Sequence, residues 1–110
     1  ITHGLGLAIL TPRWLEYCLD ETTVSRYYQF GVNVFGIDKG LPEMEVAKKS
    51  IEMLKEFLFH VLGLKSSFTE VGIDDKYFEV MAKKACMNSV IPGFKNLDQH
   101  AVEEIFKMCL

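Results

Sequence analysis

The sequence predicts an all-α fold, a bundle of about five main helices, on three observations. Apolar residues recur at three- and four-residue steps over most of its length, Gly and Pro punctuate those stretches, and no alternating run of β-branched residues is long enough for a sheet. At 110 residues and 49% hydrophobic composition, residues 1–110 fit one domain with an ample core.

From Gly4 to Leu10 there is no charge, and Leu5, Leu7, Ala8, Ile9 and Leu10 fall on every side of a helix axis, as in a buried helix. Pro12 lacks an amide hydrogen, so a helix over about 3–19 is expected to bend near Ala8. Thr22 is the expected cap of a second helix striped by Val24, Tyr27, Tyr28, Gly31, Val32 and Phe35, with Gly36 as its left-handed stop. Pro42 suits the first turn of a third helix, whose stripe is Met44, Ala47, Ile51, Leu54, Leu58 and Val61 and whose terminator is Gly63. Its opposite face carries Glu45, Lys48, Lys49, Glu52, Lys55 and Glu56 and reads as solvated.

Residues 64–72 read as a loop holding at most one turn. Asp74 is the expected cap of a fourth helix, stapled by Ile73 and Phe78, with Met81, Ala82 and Ala85 continuing inward. Pro92-Gly93 marks a turn, and Asp98, flanked by Leu97 and Val102, is expected to cap a last helix containing Ile105, Phe106 and Cys109.

Lys and Arg total 12 against 15 for Asp and Glu, a formal charge of -3, which offers no single-sign field to nucleic acid or an anionic membrane. The longest apolar stretch, Leu7 to Leu10, is far short of the roughly 20 residues that cross a bilayer, so a soluble protein without membrane or nucleic-acid partners is expected. Cys18, Cys86 and Cys109 are odd in number and lack Cys-x-x-Cys spacing, which favours buried thiols in a reducing cytoplasm over disulfides or zinc.

Several chemistries lack anchors. Gly4-Leu5-Gly6 has Ile9 where a dinucleotide fingerprint needs its third glycine, and no Lys-Ser or Lys-Thr completes a phosphate loop, so close helix packing is the preferred reason for both glycines. The serines at 25, 50, 66, 67 and 89 lack a nucleophile elbow. Of the histidines, His60 lies off the third helix's stripe and His100 in the first turn of the last, both ordinary surface settings. His3 differs because it starts a helix too apolar to face water, where an imidazole nitrogen could serve a metal. By composition and spacing alone, an ordinary partly buried histidine is the favoured reading.

The run His3-Gly4-Leu5-Gly6-Leu7-Ala8-Ile9-Leu10-Thr11-Pro12, continuing to Trp14-Leu15-Glu16-Tyr17, resembles the segment that opens the helical domain of iron-containing alcohol dehydrogenases, most closely their butanol dehydrogenase branch. The resemblance extends over the whole chain, including Gly72-Ile73-Asp74 and Asn96-Leu97-Asp98. It implies an all-α C-terminal domain of the dehydroquinate synthase-like fold. Its partner would be an N-terminal nucleotide-binding domain holding NAD(P)H, with Fe2+ or Zn2+ in the cleft between them. His3 is then the last of one Asp and three His metal ligands, the others lying upstream of Ile1, and this chain supplies no catalytic or cofactor-binding residue of its own.

The implied activity is hydride transfer between NAD(P) and a small primary alcohol or aldehyde. The chain opens on Ile1-Thr2-His3-Gly4 directly against apolar sequence, as expected of a piece beginning mid-protein; alone it is expected to be inactive and to retain no metal or nucleotide. Relatives commonly carry Cys-Thr and Asn-Pro where this sequence reads Cys86-Met87-Asn88-Ser89, so Cys86 receives no place in the substrate cleft. A homo-oligomer is compatible with the sequence. The rival reading is a non-catalytic helical interaction domain whose apolar opening helix docks on another subunit.

Overall fold

A computed structural model describes residues 3–87 and 90–110. Ile1 and Thr2, which open the motif, and Asn88 and Ser89, where the family pattern is departed from, lie outside the described residues. The fold is all-α, as the periodicity predicts. Among the described residues there are five α-helices: α1 (His3–Cys18), α2 (Val24–Phe35), α3 (Glu43–Lys55), α4 (Phe78–Cys86) and α5 (Gln99–Met108). A π-helical turn, Glu56–Val61, follows α3, and a single 3-10 turn, Thr69–Val71, interrupts the loop before α4. No strand forms among the described residues; the one ladder contact is an antiparallel bridge between Ile91 and Leu97, which closes the Pro92-Gly93 turn.

The chain divides into two compact units, one taking residues through Trp14 together with Lys65–Leu110, the other Leu15–Leu64. The core of the first gathers Ile9, Phe68, Phe78 and Cys109, with Leu5, Leu10, Val71, Ile73 and Phe106 packed around them. Phe68, Phe78 and Phe106 form a tilted aromatic triad with ring centroids 5.4 to 6.5 Å apart, spacings at which aromatic rings attract. The 3-10 turn is tied to the end of α5 because the Phe68 amide donates to the Cys109 carbonyl at 2.7 Å and the Thr69 hydroxyl donates to the Leu110 carbonyl at 2.9 Å.

α1 runs unbroken through Pro12. Side chains beside the proline engage the backbone one turn back: the Thr11 hydroxyl donates to the Leu7 carbonyl at 2.6 Å and the Arg13 guanidinium to the Ile9 carbonyl at 3.1 Å. Contrary to expectation, this helix is not buried all round. Ala8, Ile9 and Pro12 are buried while His3 and Gly4 are exposed and Leu7 is 48% exposed. Uniform apolarity hid which face the packing selects.

In the second unit α2 lies on α3. Tyr27, Ala47 and Ile51 make the core, flanked by Leu15, Leu19 and Val24. The stripe foreseen on α3 is rotated: Val46 and Ser50 are fully buried beside Ala47 and Ile51, whereas Val61 is 68% exposed. Two local causes account for this. Ser50 satisfies its hydroxyl internally by donating to the Ala47 carbonyl at 2.7 Å, so a serine can occupy the interior. The π turn, in which the Leu62 amide donates to Phe57 five residues back at 2.9 Å, changes the winding and turns Val61 away. Gly36 and Gly63 stop their helices with φ of 66° and 70°, as expected.

Three cap assignments separate. Asp98 caps α5 as foreseen, its carboxylate accepting from the Ala101 amide at 2.8 Å, and both Leu97 and Val102 are buried. Thr22 does not cap α2. Asp20 organises that turn by accepting from the Thr22 amide at 2.8 Å and from its hydroxyl at 2.6 Å, while Thr23 uses its hydroxyl to reach the Cys18 carbonyl at 2.7 Å. Asp74 does not cap α4 either. Its carboxylate accepts from the Lys76 amide two residues on, at 3.1 Å, and α4 starts only at Phe78. The inward positions of α4 are Phe78, Ala82 and Cys86 at four-residue steps, leaving Met81 and Ala85 exposed.

Tyr27 donates its hydroxyl to the Leu15 carbonyl at 2.7 Å. Burial, with smaller contributions from Cys18 and Asp20, pushes its ionisation well above the ordinary value of 10.0. Below that ordinary value the phenol is protonated folded or unfolded. Above it only the unfolded state loses the proton, so stability falls as pH rises. Tyr27→Phe is expected to cost about 1 kcal/mol at neutral pH by removing this hydrogen bond, and to flatten the alkaline decline in melting temperature above pH ~10. Equal alkaline slopes in the two proteins would assign the decline to other groups.

A Cβ on Gly31 would lie 2.9 Å from Val46 Cγ1, 3.1 Å from Ile37 Cδ1 and 3.2 Å from Ser50 Cβ. Alanine's helix propensity would gain up to about 1 kcal/mol there, but overpacking costs about 1–3 kcal/mol. Gly31→Ala is therefore expected to lower the urea midpoint, and adding Val46→Ala to return part of it. A raised midpoint in the single variant would mean that α2 and α3 separate freely.

Candidate metal centre

α1 begins at His3, and its start is uncharged because no Asp, Glu, Lys or Arg occurs before Arg13. His3 is exposed rather than shielded by an apolar helix start, which corrects the setting expected from sequence. Gly4 beside it is also exposed, and a Cβ there would meet nothing within 4 Å. Close packing within the described chain therefore does not account for this glycine, and the space next to His3 is open.

The other histidines occupy the surface settings expected of them. His60 lies in the π turn, exposed, with Nδ1 2.6 Å from the Glu56 carboxylate one turn back. His100 is the exposed second residue of α5. Among the described residues no three His, Cys, Asp or Glu side chains come together in a group able to hold a metal. A divalent ion normally takes three or more protein ligands, so the described residues of this chain do not by themselves make up a metal site.

All three cysteines are buried and none forms a disulfide among the described residues. Cys86 Sγ lies 3.7 Å from the Leu97 carbonyl, and Cys109 Sγ lies 3.2 Å from the Ile105 carbonyl and 3.8 Å from that of Ile9. These are weak thiol contacts to backbone, typical of cysteine as a small core residue.

Sequence reasoning passed over a second feature. An apolar groove of about 370 Å³ opens in the first unit, with Leu7, Leu10, Thr11 and Trp14 of α1 on one wall and Val102 and Phe106 of α5 on the other. Trp14 is steadied by Phe94, ring centroids 6.0 Å apart. The register could have revealed it: positions 3, 7, 10, 11 and 14 share one face of a helix. No helix among the described residues is long and apolar enough to cross a membrane.

Comparison with known proteins places these features in context. The profile of the Fe-containing alcohol dehydrogenase family, C-terminal region, matches residues 1–110. NADH-dependent butanol dehydrogenase A of Clostridium acetobutylicum is 44% identical over 109 residues, covering 97% of this chain and 28% of the relative. NADH-dependent butanol dehydrogenase B of the same organism is 39% identical with the same coverage. A probable NADH-dependent butanol dehydrogenase 1 of Bacillus subtilis is 33% identical over 111 residues, 28% of its length. The chain therefore spans little more than a quarter of these relatives.

Proposed function

Since the chain belongs to the iron-containing alcohol dehydrogenase family, matching its C-terminal region, we propose that it is the helical half of a metal-dependent alcohol dehydrogenase, in which His3 is one metal ligand. Residues 1–110 form the C-terminal domain in this reading, and an N-terminal nucleotide-binding domain within the same polypeptide supplies NAD(P)H, one Asp and two His. The 28% coverage of the relatives supports that division, and their names favour NADH and a primary alcohol such as butanol. The observation that carries the reading is the exposed His3 at the first position of α1, within a chain matched to the family from end to end.

A metal held in part by His3, ferrous iron or zinc, would supply Lewis-acid chemistry at the substrate oxygen, and a nicotinamide held by the other domain would supply hydride-transfer chemistry. The contribution of this chain is positional. His3 offers one ring nitrogen from a rigid helix start, which holds it more precisely than a loop would. The open space at Gly4 lets a neighbouring backbone approach that ring closely. The uncharged stretch through Pro12 supplies an apolar wall, which strengthens electrostatic interactions in a closed cleft by excluding water. Buried thiols at Cys18, Cys86 and Cys109 fit a reducing cytoplasm.

Two measurements test the reading. The isolated chain is expected neither to oxidise butanol with NAD nor to keep iron or zinc through dialysis, since one ligand is too few; turnover by the isolated chain would overturn the division of labour. In the full-length polypeptide, His3→Ala is expected to lower metal content and activity together, by tenfold or more. Full metal occupancy with full activity would remove His3 from the site and favour a helical interaction domain.

A further inference from the structure

We draw no further inference here: the strongest candidate, the apolar groove between α1 and α5 lined by Leu7, Leu10, Trp14, Val102 and Phe106, carries nothing because nothing in the structure shows what covers it.

Discussion

The burial of Ile9 is the constraint on which the arrangement of α1 depends. Its side chain is fully buried among Phe68, Phe78 and Cys109. A helix advances 3.6 residues per turn, so Leu7 and Ile9 point roughly 200° apart. Once Ile9 is seated, with Ala8 and Pro12 buried near it, Leu7 and Trp14 must face the opposite way, and His3 lies in the same row. The core contact therefore orients the candidate ligand without touching it. A helix this apolar could otherwise bury almost any face; the ring cluster of Phe68, Phe78 and Phe106 decides which.

Legibility followed the strength of local chemistry. Asp98 was readable because a carboxylate flanked by two apolar residues has few uses other than the cap it makes to Ala101. Gly36 and Gly63 were readable because only a residue without a side chain stops a helix cheaply at positive φ. Thr22 and Asp74 misled because Asp20 and Asp74 can bond amides two or three residues on without starting a helix there. Propensity did not separate a turn from a cap when both satisfy the same donors.

The errors on α3 and α4 have a different origin. Val46 and Ser50 fell outside the stripe read at three- and four-residue steps from Met44 to Val61 and were placed on neither face. In the fold Gly31 lies against α3, where the missing side chain admits Val46 and Ser50. That contact is a property of two helices together, and neither periodicity contains it. On α4 the buried residues Phe78, Ala82 and Cys86 keep a strict four-residue spacing, narrower than the stripe of Phe78, Met81, Ala82 and Ala85 read from the apolar pattern, because a nine-residue helix presents one short ridge to its neighbour.

The setting of the candidate residue His3 was illegible in the sequence. His3 stood out by resemblance, and its place at the first position of α1 follows from the helical pattern that begins there. Its exposure does not follow, because hydropathy reports how much surface a helix would prefer to bury and says nothing about whether a partner is at hand. The same reasoning separates His3 from His60. The latter is also exposed but already engages Glu56 at 2.6 Å, a local contact that accounts for it. At the start of α1 the neighbouring Gly4 has no side chain and an added Cβ would touch nothing. A histidine beside open space, on a helix held in rotation by a buried isoleucine, is suited to completing a site from one side. The precision of such a half-site comes from the core beneath the helix, so substitutions at Ile9 should disturb it as surely as substitutions beside the ring.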